Sequence, residues 1–468
     1  MIKFGTDGWR GEIARDFTFK NLQLVALATA RYLKKNFETD TPTVVIGYDT
    51  RFLSRQFAEE TAKVMAWQGV TVHLTDSIAS TPQVSFHTKQ KAAQLGVVIT
   101  ASHNPAEYSG FKLKADFGGP ATPDQIADLE SELKRIWNRP PKINFKEFSD
   151  YLDNKLIRLF DAQESYLRHL KKKIDFDAIL NAKYKVLYDP MHGAGINTIH
   201  KLLPDADEIH GDHNPGFGEI DHPEPIAECL PVLMKKVKEG NYDIGIASDG
   251  DADRLGLVDN EGNFVDSHKI FMIILKYLYE TKNKRGCVVK TISLTSMVNA
   301  FCEKHNIELI ETPVGFKHTA QIMTDGKHKV IIGGEESGGL GTSLHIPERD
   351  GLFNAMLVME VMAHREMSLK ALCDELEEEF GVHKYRRVDK RVSQVVKKQV
   401  LNAAAKKPMK LGRYDVVKID DTDGHKFFID RGWLLIRASG TEPLLRFYAE
   451  AESMTIVNEL IEEGMKLK

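Results

Sequence analysis

A serine in a polar turn is the first residue of this sequence that could do chemistry. Ser102 lies in the stretch 100–105, directly after the apolar run 97–99. A hydroxyl in this position is a potential nucleophile, although turns commonly hold serine for its backbone preference alone. His103 and Lys112 are close in sequence and could supply protons or positive charge. The stretch predicts either a catalytic serine or an ordinary turn residue.

A run of three alternating carboxylates is the second chemical signal. Asp249, Asp251 and Asp253 follow the apolar stretch 244–247. If the segment is extended, alternate side chains point the same way and could converge on one hard cation such as Mg²⁺. An EF-hand loop would require Gly and Glu where this chain has Arg254 and Asn260. The EF-hand interpretation therefore fails, while a solvated acidic turn remains the alternative.

A glycine-rich stretch at 333–339 could bind a polyol. Glu335 and Ser337 within it offer hydrogen-bond groups suited to hydroxyls, and the glycines allow a ligand to approach the backbone closely. The stretch lacks the G-x-x-x-x-G-K-[ST] order of a P-loop, and its acids would repel a triphosphate. We expect a sugar-binding loop, with a structural turn as the alternative.

A compact oxyanion site is predicted near the C-terminus. Arg437 is followed by two hydroxyls and a glycine amide, from Ser439, Thr441 and Gly440. Arg446 could add a second cation. Guanidinium groups and backbone amides are the donors that phosphate prefers.

The elements that must position these residues follow a repeated order. The segments 44–74, 186–210 and 288–310 each read as strand, polar turn, helix and strand, which is the pattern of a βαβ unit. In the second segment the helix is expected to end near residue 203. The last ~90 residues alternate in short apolar stretches with hairpin signals. We predict an α/β fold of three similar domains with mixed sheets, at 1–150, 151–255 and 256–378, and a smaller α+β domain at 379–468.

The composition is that of a globular protein, and the size and organisation of the chain favour an enzyme. The 468 residues are 42% hydrophobic and 28% charged, with a formal net charge of -4, which favours neither a nucleic-acid nor a membrane partner. The four cysteines form no C-x-x-C pair, so we expect no disulfide framework. No apolar run has the length of a signal peptide or a membrane helix, and we expect a cytoplasmic protein.

These four stretches, with 4–11 (Phe-Gly-Thr-Asp-Gly-Trp-Arg-Gly), closely resemble the α-D-phosphohexomutase superfamily, which contains phosphoglucomutase and phosphomannomutase. The resemblance runs through the whole chain. It implies three α/β domains and a smaller fourth domain around one central cleft. It also implies that Ser102 carries a phosphoryl group, that the three aspartates bind one Mg²⁺ together with the seryl phosphate, and that glucose 1,6-bisphosphate is the intermediate.

The resemblance assigns further roles residue by residue. It places four residues around the reaction centre: Arg10, His103, Lys112 and Arg254. It implies that Glu335 and Ser337 bind the sugar hydroxyls. The phosphate that is not transferred would be held by Arg437, Ser439, Gly440 and Thr441. Five more residues are expected to bind substrate: Gly315, Lys317, His345, Arg349 and Arg446.

The sugar loop is similar to that of the phosphoglucomutase branch. Glu336 and Gly339 occupy the positions at which dual-specificity relatives often have Met and His and phosphoglucosamine mutases have Gln. The predicted reaction is interconversion of glucose 1-phosphate and glucose 6-phosphate by a monomer or homodimer. Mannose phosphates are the alternative substrates, ahead of glucosamine phosphate. A metal-dependent sugar phosphatase and a non-catalytic sugar-phosphate-binding protein are competing hypotheses. Because residue 339 is not His, the general base is open, with Lys112 or His345 as substitutes.

Overall fold

The computed structural model describes residues 2–5, 7–438 and 444–467, and the chain separates into two compact units. Unit 1 comprises Met1–Gly286 and Gly315–Leu372, and unit 2 comprises Cys287–Val314 and Cys373–Lys468. Each unit has buried apolar clusters of its own. In the described part of the chain, no helix has both the length and the apolar character needed to cross a membrane.

The first part of unit 1 is a six-stranded sheet with helices. Its elements are β1 (Trp9–Glu12), α1 (Phe19–Asn36), β2 (Thr43–Tyr48), α2 (Ser54–Trp67), β3 (Thr71–Thr75), α3 (Thr81–Gln90), β4 (Leu95–Ile99), β5 (Tyr108–Ala115), α4 (Pro123–Asn138), α5 (Phe148–Asp153), β6 (Ile157–Phe160) and α6 (Gln163–Lys173). The strand order is β1-β5-β4-β2-β3-β6. Strands β4, β2, β3 and β6 are parallel, and β5 and β1 are antiparallel at one edge. Strand β4 is buried throughout, as expected for an apolar strand covered on both faces.

The next part of unit 1 is a five-stranded mixed sheet. Its elements are α7 (Phe176–Ala182), β7 (Val186–Asp189), β8 (Asp207–Glu208), α8 (Pro231–Gly240), β9 (Ile244–Ser248), β10 (Leu255–Asp259), β11 (Phe264–Val265) and α9 (Ser267–Lys276). The order is β11-β10-β9-β7-β8, with β7 parallel to both neighbours. Short 3₁₀ turns occur at Ile199–Lys201 and Ala227–Cys229, and a π-helical turn follows α9 at Tyr277–Thr281.

The prediction of a helix that ends near residue 203 is wrong. Only the 3₁₀ turn Ile199–Lys201 forms in this segment, all of which the structure describes. Met191, His192 and Asn197 all have positive φ, between 52° and 57°. A left-handed residue cannot continue a right-handed helix, so the chain crosses from β7 to β8 as a series of turns.

The segment that follows contributes to both units. Unit 2 receives β12 (Cys287–Thr291), α10 (Met297–Lys304) and β13 (Leu309–Thr312). Strands β12 and β13 are parallel, as the predicted strand–helix–strand pattern requires. Unit 1 receives α11 (Phe316–Thr324), β14 (Val330–Gly334), β15 (Leu340–Thr342) and α12 (Gly351–Arg365). Strands β14 and β15 form an antiparallel hairpin.

The C-terminal part of unit 2 is an antiparallel sheet with helices. After α13 (Leu369–Phe380) come β16 (Lys384–Arg391), α14 (Gln394–Ala405), β17 (Lys410–Leu411), β18 (Tyr414–Asp415), β19 (Lys418–Asp420), β20 (His425–Ile429), β21 (Gly432–Ala438), β22 (Leu444–Ala451) and α15 (Met454–Lys466). The main sheet has the order β16-β22-β21-β20-β19. Gly424, in the turn between the antiparallel strands β19 and β20, has φ +89°, which a residue with a Cβ rarely adopts.

Candidate active site

The predicted nucleophile lies in a tight loop directly after β4. The Ser102 backbone N–H donates to Thr100 Oγ1 at 2.9 Å, and Ser102 itself has φ +54°. Its buried hydroxyl donates to Asp249 Oδ2 at 2.7 Å. His103 Nδ1 is 3.4 Å from the same Oγ. The fold therefore brings the serine and the first predicted metal ligand into contact.

The acidic run is a turn and not an extended segment, so the local geometry expected from the sequence is wrong. Ala252 has φ +58° and reverses the chain after β9. The turn directs the backbone N–H groups of Asp253 and Arg254 to Asp249 Oδ1, at 2.9 and 3.0 Å. The three carboxylates still converge, because one oxygen from each lies within 4.8 Å of the others.

The donor set of this turn fits a divalent cation. All three aspartates are fully buried, and the Oδ1 atoms of Asp251 and Asp253 have no hydrogen-bond partner among the described residues. Burial, together with the charges of Asp251 and Asp253, raises the pKa of Asp249 well above its ordinary value. Buried carboxylate oxygens without partners are costly unless a cation or proton offsets them. Asp249, Asp251 and Asp253 could therefore hold a metal ion, and all-oxygen ligation suits Mg²⁺.

Lys112 neutralises part of this charge. Its Nζ lies 2.7 Å from Asp251 Oδ2, 3.0 Å from Asp253 Oδ2 and 2.9 Å from Asp7 Oδ2. Burial alone would lower the pKa of Lys112, but the three carboxylates outweigh it and raise the pKa above its ordinary value. Lys112 is therefore a cation beside the acidic turn.

Arg349 joins three separate parts of unit 1. Its guanidinium contacts Asp7 Oδ2 at 2.5 Å, Asp253 Oδ2 at 2.6 Å and Glu335 Oε1 at 3.1 Å. The side chain was expected to bind substrate; here it cross-links the N-terminal segment, the acidic turn and the glycine-rich loop. Asp7 had no assigned role in the sequence, although it lies in the motif 4–11 that carried the resemblance.

The glycine-rich loop follows β14 and is held against the acidic turn. Ser337 Oγ donates to Glu335 Oε1 at 2.9 Å. Burial raises the pKa of Glu335, and Arg349 partly offsets this. Gly338 has φ +90°, and its carbonyl accepts from Leu255 N, directly after the acidic turn. The structure thus places the two predicted sugar-binding residues beside each other and, through Arg349, beside Asp253.

Arg10, Arg254 and His345 have defined side-chain partners, and Gly315 and Lys317 lie at the start of α11. Arg10 donates to Asn104 Oδ1 at 2.6 Å, in the serine loop, and Arg254 pairs with Glu224 at 2.7 Å. Gly315 caps α11 and Lys317 lies in its first turn. The side chain of His345 is buried, with one ring nitrogen 3.0 Å from His169 and the other 2.8 Å from Asp350. A substrate hydroxyl could reach those nitrogens only by displacing a partner.

The predicted phosphate-binding arginines of unit 2 are cross-strand neighbours. Arg437 on β21 is directly opposite Arg446 on β22. Arg437 Nη2 lies 2.7 Å from Asp423 Oδ2, and Arg446 Nε lies 3.3 Å from Asp389 Oδ2. Like charges directly opposite each other destabilise a sheet unless a counter-charge is near. The predicted partners Ser439, Gly440 and Thr441 lie outside the described residues.

Comparison with known proteins identifies the same organisation. Models of the phosphoglucomutase/phosphomannomutase family match alpha/beta/alpha domain I at residues 1–139, domain II at 164–262, domain III at 266–380 and the C-terminal domain at 386–467. The predicted α/β fold with three such domains and a smaller C-terminal domain is confirmed.

Relatives match over nearly their full length. A phosphoglucomutase/phosphomannomutase of Thermococcus kodakarensis is 31% identical over 478 residues, covering 99% of this chain and 98% of the relative. A phosphoglucosamine mutase of Bacillus mycoides is 30% identical over 466 residues, covering 97% and 95%. A crystal structure from Thermus thermophilus, provisionally named a phosphomannomutase, is 31% identical with a TM-score of 0.85 and covers 100% of this chain and 98% of its own. This chain therefore belongs to the phosphoglucomutase/phosphomannomutase family, the phosphohexomutase isomerases of carbohydrate metabolism.

Proposed function

We propose that this chain interconverts glucose 1-phosphate and glucose 6-phosphate by way of a phosphorylated Ser102. The observation that carries the proposal is the 2.7 Å contact of Ser102 Oγ with Asp249 Oδ2, beside two buried carboxylate oxygens that no described residue satisfies. A serine in contact with a cation-binding turn can receive and release a phosphoryl group whose charge is offset.

The reaction consists of two phosphoryl transfers in opposite directions. First, the Oγ–P bond of phosphorylated Ser102 breaks as an O–P bond forms on the free sugar hydroxyl, which loses its proton to a base. This gives glucose 1,6-bisphosphate. The bisphosphate then reorients, its other phosphoryl group returns to Ser102 Oγ, and the released sugar oxygen takes up a proton. The phosphoserine is restored and glucose 6-phosphate leaves.

The surrounding groups hold and orient the reactants in this scheme. A Mg²⁺ ion held by Asp249, Asp251 and Asp253 with the seryl phosphate would stabilise charge on the transferring group. Lys112 adds fixed positive charge to the same side. We assign the binding of sugar hydroxyls to Glu335 and Ser337, which offer a carboxylate and a hydroxyl next to each other.

A phosphate-binding role for unit 2 is part of the proposal. Arg437 and Arg446 lie opposite each other on β21 and β22, and in the sequence they precede and follow residues 439–443. A bound phosphate would add counter-charge to the two arginines. We assign to them, with Ser439, Gly440 and Thr441, the phosphate that is not being transferred.

The preference for glucose rests on Glu336 and Gly339 in the sugar loop, and the names of the relatives divide between glucose, mannose and glucosamine phosphates. Values of kcat/KM for glucose 1-phosphate, mannose 1-phosphate and glucosamine 1-phosphate, measured in parallel, test it. We expect the highest value for glucose 1-phosphate. A clear lead for the amino sugar would overturn the interpretation of Glu336.

The role of Ser102 is tested by mass and activity together. Intact-mass measurement should find a fraction of the protein heavier by one phosphoryl group, and both this species and the isomerase activity should disappear in Ser102→Ala. Ser109→Ala is the matched control, because Ser109 is equally buried, lies in the adjacent strand β5, and has a hydroxyl with no hydrogen-bond partner in the described part of the chain. Full activity in Ser102→Ala would refute the proposal. Release of phosphate without isomer formation would instead indicate a phosphatase.

A further inference from the structure

Arg51 holds the serine loop by its backbone. The residue follows β2 and is buried, with a side chain that reaches four carbonyl groups of the segment 102–108. Nη2 donates to the carbonyl oxygens of Ser102 at 2.7 Å and Asn104 at 2.5 Å, and Nη1 donates to those of Pro105 at 2.7 Å and Tyr108 at 3.0 Å. One guanidinium group therefore supplies hydrogen bonds to four backbone carbonyl oxygens of the loop that carries Ser102.

The guanidinium is itself fixed from several sides. Asp49 Oδ2 is 3.2 Å from Arg51 Nε, and Asp49 Oδ1 accepts from the Arg51 backbone N–H at 3.0 Å and from Ser54 Oγ at 2.6 Å. The ring of Phe217, from the loop after β8, lies 4.9 Å from the guanidinium carbon. His213 in the same loop is 2.9 Å from the Thr50 carbonyl oxygen. Arg51 thus has little freedom to change its orientation.

The backbone of Ser102 needs such support. Its positive φ of 54° is unfavourable for a residue with a Cβ. Its carbonyl oxygen also lies so near Gly250 that a Cβ built on that glycine would be 2.4 Å away. The carbonyl that faces the acidic turn is therefore the same one that Arg51 binds. Its position decides how far Ser102 Oγ lies from Asp249.

We propose that Arg51 is a positioning residue for phosphoryl transfer, which acts through the backbone of the serine loop without touching the phosphoryl group. The inference rests on the proposed role of Ser102 as phosphoryl carrier. A lysine would keep the charge, but a single ammonium group cannot donate to four carbonyls spread over two sides of a planar fork. Charge alone should therefore not replace Arg51.

The primary test compares Arg51→Lys with Arg55→Lys. Arg55 is on α2, four residues along the chain, exposed and paired with Glu59 in the same helix, so it controls for loss of a guanidinium. In Arg51→Lys we expect kcat to fall at least tenfold while KM for the sugar phosphate stays within twofold. The ³¹P resonance of phosphorylated Ser102 should shift. In Arg55→Lys all three quantities should match the wild type. Wild-type kcat and an unshifted resonance in Arg51→Lys would overturn the proposal.

A milder variant decides the matter if Arg51→Lys does not fold. Asp49→Asn keeps an Oδ1 acceptor for Arg51 N and Ser54 Oγ but places an NH₂ group, which is a donor, against the Arg51 Nε–H. We expect a kcat loss of about threefold to tenfold at unchanged KM, and a wild-type kcat in this variant would overturn the proposal.

The two proposals fail in different ways. If wild-type protein takes up no phosphoryl group at Ser102 from glucose 1,6-bisphosphate, the proposed function is refuted and the role of Arg51 with it. If the wild type is phosphorylated and Arg51→Lys behaves identically, only the role of Arg51 is refuted.

Discussion

Two buried lysines show how the same side chain is treated differently by its neighbours. Lys112 lies among Asp7, Asp251 and Asp253, which raise its pKa despite burial. Lys426 in unit 2 is also buried, but its Nζ contacts the Ile292 carbonyl oxygen and the faces of aromatic rings, the nearest of which is Trp433, 4.0 Å away. The surroundings of Lys112 therefore stabilise its positive charge, whereas those of Lys426 destabilise it.

The destabilised charge of Lys426 is reflected in a lowered pKa. Burial, with the nearby charge of Lys290, lowers the pKa to about 7, and Glu311, Glu450 and Asp420 offset this only in part. In the unfolded chain the pKa returns to roughly 10.4. Below pH 7 both states bind the proton, and the full cost of burying the charge is present. Between pH 7 and about 10 the unfolded state binds more protons, so stability rises with pH.

Replacement of Lys426 by Met should therefore flatten the pH dependence of unfolding. Urea denaturation of the wild type at pH 7, 8, 9 and 10 should give a free energy of unfolding that gains up to about 1.4 kcal/mol per pH unit relative to Lys426→Met, because one unit of pKa is worth that much. Lys410→Met is the control, since Lys410 is exposed and pairs with the exposed Asp415. Equal slopes in the wild type and Lys426→Met would contradict the assignment.

At the residue scale, the sequence could predict residues whose chemical type alone suggests a role. Ser102 and the three aspartates could be proposed because a hydroxyl and alternating acids, each after an apolar run, are side-chain types that suit phosphoryl transfer and cation binding, although each pattern alone also fits an ordinary turn. Asp7 and Arg51 could not be named in this way. Arg51 acts on carbonyl groups 51 to 57 residues away, and such contacts leave no local pattern.

The loops of the site share one feature at the element scale, which is that each follows a buried strand. Ser102 comes after β4, Asp249 after β9 and Glu335 after β14. The first two loops touch backbone to backbone at Gly250. Ligands commonly bind at such strand ends, where polar groups emerge from an apolar sheet.

Gly250→Ala should separate these two loops. The added Cβ would lie 2.4 Å from the Ser102 carbonyl oxygen, and backbone atoms on both sides would have to move. We expect kcat to fall at least a hundredfold. The free energy of unfolding should fall by about 1–3 kcal/mol, as at other overpacked sites. Activity and thermal unfolding measured on the same preparation provide the check.

Gly216→Ala is the matched control for that change. A Cβ at Gly216 would meet its nearest neighbour, Asn214 Oδ1, at 3.5 Å, which is ordinary contact. Its activity should stay within twofold of the wild type. Comparable losses in both variants would show that close backbone approach at Gly250 is not the cause.

Elements defined by apolar runs were predictable, and those defined by backbone exceptions were not. The strand–helix–strand order of β2, α2 and β3 follows from periodicity and turn residues. The segment after β7 was predicted to be a turn followed by a helix, but the stretch predicted as helix contains a left-handed residue at Asn197. The acidic run was expected to be extended for the same reason, since nothing in its composition marks Ala252 as the reversal point.

At the scale of the whole molecule, the proposed metal site belongs to unit 1 alone. Its ligands come from two loops of that unit, and an ion bound only by the folded state stabilises what it joins. Unit 2 has its own cluster of buried apolar residues, including Phe427, Leu434 and Phe447. Metal binding should therefore stabilise the site in unit 1 more than the sheet of unit 2.

Hydrogen exchange followed by mass spectrometry should show this asymmetry. On removal of Mg²⁺ with EDTA we expect faster exchange in peptides covering 100–104 and 247–255, because the buried carboxylates lose their counter-charge. Peptides covering β20 and β21 in unit 2 should not change. Uniform acceleration throughout the chain, or no change at 247–255, would contradict a metal site confined to these two loops of unit 1.

The cross-link made by Arg349 has a consequence for biosynthesis. Arg349 and its partner Asp7 are separated by 342 residues, so the N-terminal segment is made long before the guanidinium that binds it. At about 5–20 residues per second, the wait is roughly 17–70 s. Asp253, the last aspartate of the acidic turn, precedes Arg349 by 96 residues. While those residues are made, a ribosome-bound chain holds the acidic turn without the arginine that ties it to the glycine-rich loop. We therefore expect no isomerase activity from nascent chains that end before residue 349, because the contacts of Arg349 with Asp7 and Asp253 cannot yet form.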